Sequence, residues 1–254
     1  TMGITAALFT AIALYHTFAL PKPGRDVLRT ADGKPQTFGD VLREFDHTFY
    51  TYFHKPGVWL AIVFMLLYRL PEAFLLKMVN PFLLGTTATG GLALDTDTVG
   101  IVYGTIGVIA LTVGGIIGGI AASRWGLKKA LWPMAASMTL PCATFVYLSI
   151  CLPHDLVVIS TCVAVEQFGY GFGFTAYMLY MMHFSEGKYV TAHYAICTAF
   201  MALSMMIPGL FAGALQELVG YRYFFWMVMA CCVATVVMTF LVKRKIEPEY
   251  GKKH

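Results

Sequence analysis

The sequence predicts an all-α fold, a polytopic bundle of membrane helices. The 254-residue chain is 58% hydrophobic and 13% charged, with a mean hydropathy of +0.67. Soluble domains run closer to about 45–50% apolar and about 25% charged. Seven apolar stretches approach or exceed the ~20 residues that carry a helix across ~30 Å of hydrocarbon. No segments alternate polar and apolar residues at a period of two, which argues against a barrel.

The first stretch is Met2–Leu20. Residue 1 is Thr, and the chain opens into this stretch without the charged n-region or cleavage site of a signal peptide. Residues 21–57 follow as a long connection. Its first part is turn-forming linker, Pro21-Lys22-Pro23-Gly24 and Ala31-Asp32-Gly33-Lys34-Pro35. Its second part reads as an amphipathic helix in the membrane interface, with Phe38, Val41, Leu42, Phe45, Phe49, Tyr52 and Phe53 on one face. Thr37 followed by Asp40 resembles a capping box, and Lys55-Pro56-Gly57 ends the element. A docking surface for a partner is the rival reading of this helix. Six spans come next: Val58–Met78, Thr98–Ala122, Leu127–Cys151, Leu156–His183, Val190–Ala214 and Tyr223–Val242. Residues 58–243 form this six-helix unit, and residues 244–254 form a tail.

Fifteen of the 18 basic residues lie in residues 21–57, in Ser123–Lys129, at Lys188 and after Val242. These are alternate connections of a serpentine chain, so the bias fixes them as cytoplasmic. Asp95, Asp97, Asp155 and Glu217 occupy the opposite loops. Topology accounts for the basic stretches, and no nucleic-acid partner is expected. The six cysteines fall within or at the ends of spans without zinc spacing, and read as small hydrophobes.

One span, a long loop and six closely connected spans is the layout of a twelve-span transporter whose first five helices are absent. On this expectation residues 1–20 are the last span of a missing N-terminal half, residues 21–57 the cytoplasmic central loop, and residues 58–243 one half of two parallel repeats.

Charged groups inside spans cost about 2.5–3.5 kcal/mol each on insertion scales, so those kept there mark a candidate pathway. Arg69 and Glu72 stand i,i+3 on one face, and Pro71 between them should kink the helix. They read as a polar wall for substrate or as a proton-exchanging carboxylate, with a self-neutralising ion pair as the alternative. Lys77 is expected to snorkel. In the fifth span of the chain, Glu166, Tyr170, Gly173, Tyr177 and Tyr180 share a stripe, with Gln167 beside them. Tyrosine rings suit stacking on a sugar while their hydroxyls find hydrogen bonds. Low dielectric disfavours the charged form of a carboxyl, which a proton-coupled step requires, and Glu166 is the first candidate for it, with Glu72 the second. An aromatic packing seam is the alternative. Gly169, Gly171 and Gly173 are expected to let this helix bend. The stripes Gly100/Gly104, Gly114/Gly118 and Gly115/Gly119 predict close helix approach. His183 and His193 flank a turn and read as interfacial residues, with gating as the alternative; His16 is similar. There is no metal-ligand spacing, phosphate-cradling loop or nucleophile elbow, so neither cofactor nor metal is expected, and the chain does not read as an enzyme.

Gly119, Arg124, Gly126, Lys128 and Lys129 resemble the cytoplasmic loop motif of the major facilitator superfamily, although Ser123 stands where that motif has an acidic residue. In the family this loop is a conformational latch. The run Arg69-Leu-Pro-Glu72-Ala73-Phe74, the run Glu166-Gln167-x3-Gly171-x-Gly173-x2-Ala176, Ser185 and Ala192-His193-Tyr194-Ala195 resemble the AmpG-type branch. These are muropeptide permeases related to acetyl-coenzyme A transporters. Pro71 and Gln167 depart from the expected Gly and Asn. The resemblance implies a symporter for proton-driven import of an amphipathic sugar-peptide in peptidoglycan recycling, across a bacterial inner membrane, by alternating access. Arg69, Glu72, Gln167, Tyr170, Tyr177 and Tyr180 would then meet the substrate. A permease for sugars, short peptides or acyl-coenzyme A, an intramembrane transferase and a seven-helix receptor are the competing readings.

Overall fold

The computed structural model describes residues 2–19 and 38–252. Its helices are α1 (Met2–Ala19), α2 (Phe38–Phe53), α3 (Val58–Leu67), α4 (Leu70–Leu84), α5 (Thr96–Val99), α6 (Val108–Trp125), α7 (Leu127–Thr139), α8 (Cys142–Cys151), α9 (Leu156–Ser185) and α10 (Val190–Lys243). A π-helical segment, Gly100–Gly107, joins α5 to α6, and a 3₁₀ turn covers Thr87–Thr89. The chain is a polytopic helical membrane bundle.

Residues 1–50 form one unit and residues 51–254 another. In the first, α1 is apolar over Gly3–Ala19, and Phe45 and Phe49 of α2 pack at 4.7 Å, as its amphipathic spacing predicts. The linker and its Thr37 lie outside the described residues.

The second unit holds five helical stretches long and apolar enough to cross a membrane among the described residues: Val58–Leu84, Thr96–Trp125, Leu127–Cys151, Leu156–Ser185 and Val190–Lys243. Six spans were expected there. The difference lies in α10, which carries two of them across a break at Gly220. Gly220 takes φ 75°, ψ 163°, a conformation essentially restricted to glycine, so the chain changes direction without a loop.

Proline accounts for the interruption of the first span. Pro71 occupies the first turn of α4, where an absent N–H costs nothing, and Arg69 leaves helical geometry at φ −99°, ψ 10°. The Tyr68 carbonyl freed by the break accepts the Thr235 hydroxyl at 2.9 Å.

The glycines of α9 do something other than expected. The helix continues unbroken for 30 residues, and each glycine faces a neighbour's backbone. A Cβ on Gly169 would collide with the Ser137 carbonyl, one on Gly171 with the Leu111 carbonyl, and one on Gly173 would lie 2.6 Å from the Met134 carbonyl. They seat α9 against α7 on one side and α6 on the other. Gly114 and Gly118 complete the α6 seam against Phe168 and Thr175. Gly100, Gly104 and Gly119 face open space and take no part in it.

Two apolar clusters fill the unit. One gathers Phe64, Tyr68, Leu131, Met138, Tyr177 and Val242. The other gathers Leu75, Phe82, Val102, Phe145, Val163 and Phe225. Arg69, Glu72, Glu166 and Gln167 fall in sequence between the members of the two clusters, and all four are buried.

Candidate functional site

The break before Pro71 delivers Arg69 to the site. Outside helical geometry its side chain turns to α9, where Nη2 donates to the Tyr170 hydroxyl at 2.5 Å. The guanidinium lies over the rings of Phe174 (4.7 Å), Tyr170 (5.4 Å) and Tyr177 (5.8 Å). A planar cation over ring faces gains electrostatically, the more so where water is excluded. The ion pairs among the described residues are His183–Glu186 and Lys252–Glu249, so Arg69 and Glu72 do not close into the pair their spacing allows.

Glu72 is 1% exposed and Glu166 2%. The two carboxyls are close enough to interact directly, without the alignment of a formed hydrogen bond. Gln167 donates from Nε2 to Glu166 Oε2 at 2.9 Å and, more weakly, to the Tyr103 hydroxyl at 3.4 Å. Arg69 Nε, both oxygens of Glu72 and Glu166 Oε1 have no hydrogen-bond partner among the described residues. A buried polar group without a partner costs on the order of 1–3 kcal/mol, more when charged. Such a concentration of unmet valence is a reason to look for a ligand or a proton.

The hydroxyls of Tyr177 and Tyr180 stand apart from this cluster of donors and acceptors, although the Tyr177 ring lies under Arg69. The Tyr177 hydroxyl donates to the Met65 carbonyl at 2.9 Å, and its ring stacks on Tyr68 at 5.7 Å. Tyr180 packs on Phe64 at 4.4 Å and lines a cavity of about 430 Å³ with Lys55, His183 and Lys245. His193 faces Thr51 at 3.2 Å and Tyr52 at 5.5 Å.

The loop with the latch resemblance is held by the tail. Gly126 takes φ 75°, ψ 158°, and the next amide, Leu127 N–H, donates to the Tyr250 carbonyl at 2.8 Å. The Tyr250 ring lies on His183 at 4.3 Å, and burial with the nearby Glu186 pushes its phenol up to about 12. Ser123 donates to the Ile120 carbonyl of its own helix. Arg124 and Lys129 are exposed and Lys128 is half-buried.

Tyr103 is the site residue that sequence reasoning missed. Its signal was a lone phenol in an otherwise apolar, glycine-rich span. Lys77 lays its stem across Gly209 of α10 and is exposed, as snorkelling predicts. No group of three or more His, Cys, Asp or Glu that could hold a metal occurs among the described residues.

The family model described as Major Facilitator Superfamily matches residues 65–254. The Anhydromuropeptide permease of Escherichia coli (strain K12) is 26% identical over 231 residues, 91% of this chain and 44% of that protein. Putative transporter AmpG 1 of Rickettsia felis is 24% identical over 74% of this chain and 41% of its own length. Putative transporter AmpG 2 of Rickettsia typhi is 26% identical over 84% of this chain and 50% of its own length. The chain thus spans about half the length of the curated relatives it matches, and these three are named as a permease and as transporters.

Proposed function

The chain belongs to the Major Facilitator Superfamily, and from that premise we propose that it contributes one six-helix wall to a proton-coupled muropeptide importer working by alternating access. The observation that carries the reading is the buried Arg69–Glu72–Glu166 cluster with its unmet hydrogen-bonding atoms. Similarity to an anhydromuropeptide permease over 91% of the chain supports the choice of substrate. In this reading Arg69, Glu72, Gln167 and Tyr170 meet the solute, and Tyr177 and Tyr180 extend its aromatic path. Glu166 carries the coupled proton, with Glu72 beside it. The membrane is a bacterial inner membrane and the tail is cytoplasmic. Residues 1–20 and 21–57 are the preceding span and central loop, and Gly119, Arg124, Gly126, Lys128 and Lys129 form the latch loop. The solute and the proton are the two small partners, and the bilayer is the solvent.

The test is uptake of labelled anhydro-muramyl peptide by the full-length protein in inverted and right-side-out vesicles, with and without a proton gradient. Gradient-dependent uptake that Glu166→Gln abolishes is the expected result. A folded protein that takes up nothing under either gradient removes the muropeptide, and sugars, short peptides and coenzyme A esters are tried next.

A further inference from the structure

Glu166 is held by one oxygen only. Gln167 engages Oε2 at 2.9 Å, and Tyr103 reaches the same amide from the π-helical segment at 3.4 Å. Oε1 is buried and unpartnered among the described residues, as are both oxygens of Glu72. The amide of Gln167 is therefore shared between a phenol and a carboxylate, and its orientation decides which face of Glu166 is left open. The Tyr103 hydroxyl is the group that steers that amide from outside α9. The π-helical segment brings it there, and such segments often occur at functional sites.

The surroundings decide what the open oxygens can do. Within electrostatic reach of the two carboxyls are Arg69 at the start of α4, Tyr170 of α9, Tyr103, Cys142 of α8 and Cys232 of α10. Arg69 is the one cation of the set, and it is turned to the Tyr170 hydroxyl and three ring faces. Two neighbouring carboxylates in low dielectric do not both ionise readily. A single proton distributed over the pair leaves one negative charge, which Arg69 balances from its aromatic seat.

We propose that Glu72 and Glu166 act as one proton-sharing pair, and that Tyr103, acting through Gln167, is the positioning residue that turns Glu166 Oε1 toward Glu72. The proton moves between Glu166 and Glu72, and no other group gains or loses one. The inference rests on the proposed function for the use of that proton, not for its presence.

The experiment is an infrared pH titration of the full-length protein in lipid, reading the carbonyl stretch of protonated carboxyls, so no substrate is needed. Expected is a buried-carboxyl band whose position and midpoint change in both Glu72→Gln and Glu166→Gln. Tyr103→Phe moves the same midpoint, and adds no further shift in the Glu166→Gln background. A Glu166 signal that Glu72→Gln leaves unmoved means two independent carboxyls and overturns the pair. A Tyr103→Phe titration superimposable on the unsubstituted protein overturns the positioning role. Tyr103→Phe removes one oxygen only and decides the positioning role by itself. Should a glutamine variant fail to fold, the unsubstituted protein still decides the pair, because two independent carboxyls give two separate one-proton steps and overturn it. A coupled titration in a protein that takes up no muropeptide keeps the pair and removes only the substrate.

Discussion

At the scale of single residues, the backbone decides which contacts the side chains make. Arg69 and Glu72 have the spacing of a helical ion pair, but the break at Arg69 takes the guanidinium to α9. Its seat needs a planar group with a hydrogen-bond donor at its edge. Arg69→Lys keeps the charge but loses the flat stacking face. It should lower stability by about 1–2 kcal/mol, the range of a desolvated cation–π contact, seen as a lower midpoint on thermal unfolding in detergent. An unchanged midpoint would mean that the aromatic seat contributes nothing. Thr235 offers a cleaner case. Its hydroxyl satisfies the Tyr68 carbonyl at the break, whereas the Thr239 hydroxyl bonds a carbonyl of its own helix at Thr235. Thr235→Val should cost about 1–3 kcal/mol, the desolvation of an orphaned buried carbonyl, and Thr239→Val distinctly less in the same measurement. Equal losses would point to packing, not hydrogen bonding, as the cause.

At the scale of elements, periodicity and composition located the helices, and proline located the interruption in the first span of the unit. What the sequence could not supply is which neighbour each face meets. Gly169, Gly171 and Gly173 read as points of bending because glycine lacks a side chain to stiffen a helix. Once α6 and α7 lie on either side of α9, the same absence serves close approach, and the helix stays continuous. Tyr103 left no more than the mark of a lone phenol in its span, for a related reason. Its importance comes from the π-helical turn and from Gln167, neither of which leaves a mark at its own position. Gly171 and Gly119 separate the two uses of glycine. A methyl on Gly171 meets the Leu111 backbone, while one on Gly119 meets nothing within 4 Å. Gly171→Ala should destabilise by about 1–3 kcal/mol, as overpacking does. Gly119→Ala should be neutral or stabilising by about 0.5–1 kcal/mol, the helix propensity gain. Thermal midpoints of the two variants check this, and a stable Gly171→Ala protein would reopen bending as the role of that glycine.

At the scale of the whole molecule, charge and structure meet at opposite ends of the six-helix unit. At one end the Lys55 amine donates to the Phe184 and Glu186 carbonyls at 2.7 and 2.8 Å. It thereby satisfies the C-terminus of α9, where a cation is favoured. The tail joins that end through Tyr250 and Leu127. The loops that begin α5 and α9 instead carry Asp95 and Asp155, whose side chains accept from Thr98 N–H and Val157 N–H as helix caps. Thr98 holds the Asp95 carboxyl below its usual range. The acidic residues of those loops thus have a local structural use. The topological signal must come from the lysines and arginines, which is also where the insertion rule places it. Fifteen basic residues on one set of connections predict that set to be cytoplasmic. Single cysteines at Lys252 and Asp97, in a background without the six native ones, put this to a direct test. A membrane-impermeant maleimide should label Lys252→Cys in inverted vesicles only and Asp97→Cys in right-side-out vesicles only. The reverse pattern would turn the unit over, and would move the tail and the Gly126 loop that it holds to the outer face.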